Sequence, residues 1–276
     1  MAVVIAILGL AGAIIGATLL RQQRFYRGAT ELLHARADVR DALDLLATDI
    51  RGLSPTDTVS LMADSAIEFF AAIGSSVIAA KETPDMVHLP AGTSPHGNTL
   101  TAFLTQPDTG DLAILYRKSE IERSPWERYR IVAFSAAAGS GGYALTLARP
   151  LASDIDVGAP IRFVRRGRYS LYRSSDGAWY LGYRRCNALS ISSCGAIQPI
   201  SGPYRAYSAV PAASGILLEY YDTAGVRLGQ TSSPLTLARV DVTARSESRQ
   251  RILFDGRSKG FADSARVSIA VRNRLE

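Results

Sequence analysis

Residues 1–55 read MAVVIAILGLAGAIIGATLLRQQRFYRGATELLHARADVRDALDLLATDIRGLSP, and their spacing decides the architecture. The first twenty residues carry no charge. As a helix they cover about 30 Å, the thickness of a bilayer core. No loop-like composition follows them. Phe25, Ala29, Leu32, Arg36, Val39, Leu43, Leu46, Ile50 and Leu53 recur at alternating steps of four and three, the spacing of one helix face. Arg36 is the only polar member, and its alkyl stem can lie along the stripe. Gly52 and Ser54-Pro55 supply a stop. With Gly28 as a mild interruption, residues 1–53 are expected to form one helix about 80 Å long. It divides into an apolar half (1–20) and an amphipathic half (21–53) whose stripe needs a partner.

The apolar half carries Val3, Ile5, Leu8, Gly12, Ile15, Gly16 and Leu19. Gly12 and Gly16 have the small-xxx-small spacing that lets a second helix approach closely. Glycine is also frequent in spanning helices generally, and both readings stay open. The AGA at Ala11–Ala13 faintly resembles a signal cleavage site, but no basic region precedes it.

After Pro55 the pattern changes to short β-like runs between turn residues. NTLTAFLT and LAILYRK flank QPDTGD, RYRIVAFS and YALTLARP flank AAAGSGG, and GRYSLYRS and AWYLGYRR flank SDG. Asp176-Gly177 is the strongest of these hairpin signals. GILLEYYD, VRLGQ, LTLARVDVTAR and ARVSIAVRN follow. No βαβ alternation occurs, which excludes a parallel-sheet fold. Residues 54–98 read as loop-rich. The expected fold class is therefore α+β: a long N-terminal helix packed through its stripe on the antiparallel sheet of a head domain, residues 54–276.

The chain has 276 residues, 47% apolar and 20% charged, which suits a folded protein. Its net charge of +6 is compatible with weak attraction to anionic surfaces or with an ordinary solvated surface. Three scattered histidines, His34, His88 and His96, argue against a histidine-built metal site. His34 is expected to be exposed on the helix, and His88 and His96 to fall in loop. Cys186 and Cys194 are the only cysteines. Outside the cytoplasm they would form a disulfide closing a short loop, worth about 2–3 kcal/mol in the chain-entropy picture. Otherwise they are free thiols or half of a metal site.

No G-x-S-x-G, H-E-x-x-H, P-loop or helix-opening G-x-G-x-x-G occurs, so no enzyme class is indicated. Asp108 with Asp111 and Asp154 with Asp156 are closely spaced acids beside glycine, a candidate calcium chemistry that competes with ordinary turn chemistry. Arg162, Arg165, Arg166 and Arg168 are interleaved with Phe163 and Tyr169. They could hold a polyanion such as single-stranded nucleic acid, or simply line an exposed strand. A membrane-tethered DNA- or polyanion-binding module is thus the alternative function.

The stretch LRQQRFYRGATELLHARADVRDALDLLATDIRGL resembles the helix of type IV pilin-like proteins. The likeness is closer to their large minor members, the PilW-type minor pilins and the J-type minor pseudopilins of type II secretion. GILLEYYDTAGVRLG, LARVDVTARSES and DSARVSIAVRNRL resemble their C-terminal strands, while residues 60–160 contribute little. The resemblance implies a non-enzymatic subunit that helps initiate or cap a pilus or pseudopilus. It implies an inner-membrane single-pass anchor, a periplasmic head, and other minor subunits and the major subunit as partners.

One departure concerns the start. The family begins with a basic leader, a glycine, phenylalanine or methionine, and then T-L-x-E, where the prepilin peptidase cuts and methylates. No residue here matches that motif, and no acid precedes Glu31. Placing one apolar run on the other puts Met1 about ten residues past the family's cut, so the natural start is expected upstream. Arg21, Arg24 and Arg27, taken alone, would leave the head cytoplasmic by the positive-inside rule, and a basic leader would reverse that.

Overall fold

A computed structural model describes residues 2–53, 59–93, 97, 99–118, 125–137, 141–187, 194–248, 252–254, 257–260 and 262–271, with side chains from Gly12 onward but not for 252–254 and 257–259. Val3, Ile5, Leu8, Pro55 and His96 therefore lie outside the residues whose side chains are described. One helix, α1, runs unbroken over Ala2–Arg51, 50 residues. Its end is closed by Gly52 N–H donating to the Thr48 and Asp49 carbonyls and Leu53 N–H to that of Ile50.

The rest is β-structure. In chain order the strands are β1 (Leu61–Met62), β2 (Ala66–Val77), β3 (Ala80–Thr83), β4 (Met86–Leu89), β5 (Ala102–Phe103), β6 (Leu112–Tyr116), β7 (Trp126–Ala136), β8 (Tyr143–Leu147) and β9 (Pro160–Arg173). They continue with β10 (Trp179–Arg185), β11 (Gln198–Tyr204), β12 (Ile216–Tyr221), β13 (Arg227–Leu228), β14 (Arg239–Glu247), β15 (Ile252–Phe254), β16 (Arg257–Lys259) and β17 (Ala262–Ala270). Fifteen of them join one antiparallel sheet in the order β13-β12-β14-β11-β10-β9-β6-β7-β8-β4-β3. Strand β17 joins β14, β2 joins β9, and β1 and β5 join β2. The separate pair is β15–β16.

The expected α+β, pilin-like class is corrected by this finding. Among the described residues a single α-helix accompanies a sheet of fifteen strands, so the molecule is predominantly antiparallel β. The physical reason lies in residues 54–98, read as loop. They supply β1 to β4, including the 12-residue β2. Strand β2 buries Ile67, Glu68, Phe69 and Phe70 in succession, so its sequence lacks the period-two alternation of a strand with one wet face.

The two expected hairpins at AAAGSGG and SDG correspond to the antiparallel pairs β7–β8 and β9–β10. At the second turn Gly177 has φ +83°, and Asp176 accepts from the Ala178 N–H at 3.0 Å. The expected hairpin across QPDTGD does not form. Strand β6 pairs with β7 and β9, whereas β5 pairs with β2 at a bulge between Ala72 and Gly74. A Cβ at Gly74 would lie 2.5 Å from the Phe103 ring, so only glycine admits that strand. Phe103 then meets Phe134, Tyr143 and Phe163 edge-on.

Two cores result. One lies between α1 and the sheet and contains Val39, Leu43, Leu46, Ile50, Leu53, Ile67, Phe69, Tyr169, Leu171, Val240, Val242 and Ile269. The other lies where β4, β6, β7 and β8 curl over β9 and the end of β2, around Val87, Leu115, Ile131, Leu145 and Phe163. Strand β9 is long enough to serve both, with its first residues in the second core and its last in the helix core.

The single-pass inner-membrane placement is corrected too. Among the described residues no helix is long and apolar enough to cross a membrane.

Candidate functional site

The exposed half of α1 is built from the residues that the sheet does not reach. Burial along the stripe becomes regular only from Ala35, followed by Val39, Ala42, Leu43, Leu46, Ala47, Ile50 and Leu53. Three polar contacts fix the buried half to the sheet. Tyr169 donates its hydroxyl to the Asp49 carboxylate, and burial together with that partner pushes the phenol up. Tyr204 donates to the Asp38 carbonyl at 2.5 Å, and Arg36 lies 3.6 Å from Asp263.

Toward the N-terminus the stripe leaves the core. Leu32 is half-buried, and Phe25, expected in the head contact, is 64% exposed. Gly12 to Arg27 are exposed apart from the half-buried Gly16, among them Ile14, Ile15, Leu19, Leu20 and Tyr26. Nothing lies within 4 Å of a Cβ built on Gly12 or Gly16, so that flank stands open. Thr18 donates to the Ile14 carbonyl at 2.8 Å and Thr30 to that of Tyr26 at 2.9 Å, leaving a polar-satisfied but apolar rod. His34 is exposed on the same helix.

The four arginines singled out in the sequence are placed on β9, and the fold gives three of them carboxylates from distant segments, Glu68 on β2 and Asp111 just before β6. Glu68 stands directly opposite Arg168 in the β2–β9 register. It is 1% exposed and accepts from Arg166, from Arg168 at 2.7 Å and from Ser60 at 2.6 Å. Burial pushes its carboxyl up, but the hydrogen bonds from Ser60, Arg166 and Arg168 outweigh it and hold the group below its ordinary value. Arg165 points to the other face and grips buried Asp111 at 2.7 Å, a hydrogen bond that raises the guanidinium further. Arg162 lies over the Trp126 ring, 5.7 Å from its centroid.

Arg165 and Arg166 are thus internal charges rather than polyanion contacts. Three of the four acids proposed for calcium, Asp108, Asp111 and Asp154, are engaged in the same way. Arg185 reaches Asp108 at 2.9 Å and Asp111 at 3.1 Å, and Arg117 reaches Asp154 at 2.9 Å. The Arg185 hydrogen bond holds Asp108 low.

Cys186 and Cys194 are joined in a disulfide directly after β10, beside Glu68. Among the described residues, these two and Glu68 form the one cluster of metal-ligating types. With the sulfurs bonded to each other and the carboxylate held by two arginines, the set does not fit a metal. Asn187, in the loop the disulfide closes, accepts from Arg166 on its carbonyl at 2.9 Å. His88, expected in loop, sits on β4 and pairs with exposed Glu82 at 2.6 Å. The sequence offered no signal for Glu68 or Asp111 as partners of these arginines, since each lies far along the chain from its arginine.

No family model, curated protein or solved structure matches the chain.

Proposed function

We propose that this chain is a non-enzymatic subunit that helps to initiate or cap a type IV pilus-like filament, either a pilus or the pseudopilus of type II secretion. One observation carries the reading: a single continuous helix whose C-terminal part is the spine of the head and whose N-terminal part offers apolar side chains to a partner. A helix that is hydrophobic on all sides belongs inside something, and the small-residue flank at Gly12 and Gly16 suits another helix.

The magnitudes favour an assembly over a single pair. Burying Ile14, Ile15, Leu19, Leu20, Phe25, Tyr26 and Leu33, each now roughly half exposed or more, yields on the order of 10 kcal/mol. Association costs about 4–15 kcal/mol. One neighbour covering one side of the rod leaves little surplus, whereas several neighbours around it leave a good deal. In this mechanism the exposed half packs against equivalent helices of adjoining subunits, and the large sheet domain, too bulky for close repeats, stays at the filament end.

The engagement of Arg165 and Arg166 within the head leaves the polyanion alternative without its central residues. The filament reading is tested by deleting the gene from the producing cell and counting filaments by electron microscopy. Loss or strong reduction of filaments, restored by the full chain, is expected; unchanged numbers would overturn it.

A further inference from the structure

The face of the sheet turned away from α1 carries positive charge that the fold leaves unanswered. Strand β9 sends Tyr169 and Leu171 into the helix core, so Arg166 and Arg168, alternate to them, lie on the outer face. Arg168 stands between two strands there. Glu68 is directly opposite it on β2, and Arg184 is directly opposite it on β10. This row, with Arg166 beside it, sets one carboxylate against three guanidinium groups.

Glu68 is taken by Arg166 and Arg168. Arg184 has no such partner. Its Nε is buried without a hydrogen-bond acceptor, and its guanidinium joins no ion pair among the described residues. Like charges directly opposite on neighbouring strands repel, and a buried charged donor without an acceptor is costly. An anion held between Arg168 and Arg184 removes both costs at once.

We propose that Arg168 and Arg184 form a binding site for a phosphate group, either the free ion or a phosphate monoester. Charge favours this class of ligand. Three guanidinium groups against one carboxylate leave two positive charges, and a phosphate monoester carries about −1.5 to −2 near pH 7. Shape favours it as well. Guanidinium groups reaching in from two strands suit a tetrahedral anion, which offers oxygens to both, whereas a planar carboxylate matches a single fork. Arg168 uses Nε and Nη2 on Glu68, and its side chain is still 31% exposed. Its Nη1 can therefore turn to the anion without giving up Glu68.

The surroundings hold Arg184 in place. A Cβ at Gly182 would lie 2.6 Å from the side chains of both Ile197 and Tyr172, so these two cover Gly182, next to Arg184 on the same face. On its other side Cys186 is bonded to Cys194. Set between that cover and the disulfide, Arg184 has a buried Nε while the residue as a whole is only half-buried. A side chain already fixed loses little freedom on binding. Arg130 also has a buried Nε without an acceptor, but Leu112 stands opposite it and Val164 beyond, with no second guanidinium in the row.

Isothermal titration of the full chain with inorganic phosphate, against sodium chloride at matched ionic strength, tests the site. Wild type should bind phosphate saturably, and its melting temperature should rise with phosphate concentration. Arg184→Gln should bind about tenfold more weakly and lose that rise. Without phosphate it should melt no lower than wild type, because Arg184 has no partner within the fold. Arg184→Lys, which keeps the charge but not the fork, should also bind more weakly than wild type. Arg173→Gln, an exposed arginine farther along β9, should bind as wild type does. Glycerol phosphate separates the two sources: binding equal to that of inorganic phosphate assigns the site to an esterified phosphate, and much weaker binding assigns it to the free ion. No saturable binding of either, or Arg184→Gln binding like wild type, overturns the proposal. An equal loss in Arg173→Gln also overturns it, since that would mark a general attraction to the positively charged chain.

Discussion

A carboxylate as enclosed as Glu68 is tolerated only because Arg166, Arg168 and Ser60 surround it. The geometry gives a prediction with a definite sign. Glu68 has a folded value below its ordinary 4.5, so its stabilising contribution is complete above that pH and is lost as pH falls through the folded value. Melting temperature should drop on acidification below about pH 4.5, and Glu68→Gln should flatten that part of the profile. At neutral pH the same substitution leaves Arg166, itself 4% exposed, without its counter-charge and should cost about 3–5 kcal/mol, read by urea denaturation. A neutral-pH loss below 1 kcal/mol would show that the guanidinium is held by something else.

At the scale of elements, α1 has two halves with opposite dependences. Leu46 is fully buried between helix and sheet, and Leu46→Ala should destabilise the fold by about 2–5 kcal/mol, measured as a shift in the denaturation midpoint. The helix and its stripe were legible in the sequence because a period of four and three kept from Phe25 to Leu53 has few alternatives. Where the stripe stops being covered was not legible. Phe25 and Leu43 occupy equivalent places in the pattern, and only the reach of the sheet makes one exposed and the other buried. The hairpin turns at SDG and AAAGSGG were readable from local turn chemistry. Strand β5 was not, because its pairing is decided by the absent side chain of Gly74 and the aromatic cluster around Phe103, both remote in sequence. The arginines of β9 showed as a pattern, but the acids that absorb them sit on β2 and before β6, and no local rule links those segments.

For the whole molecule, the sheet domain is a head with two cores, and the rod that emerges from it carries the exposed apolar side chains on which the proposed assembly rests. The central claim is that this rod, rather than any site on the head, brings the protein into a filament. Substituting Ile15→Glu/Leu19→Glu changes exposed side chains only and should alter head stability by no more than about 0.5 kcal/mol. The decisive measurement is co-sedimentation of this variant with sheared filaments from cells carrying it in place of the wild type, checked by gold labelling of filament ends. The variant should be absent from the filament fraction while the purified protein melts as wild type does. A normally melting variant recovered with filaments at the wild-type level would contradict the account.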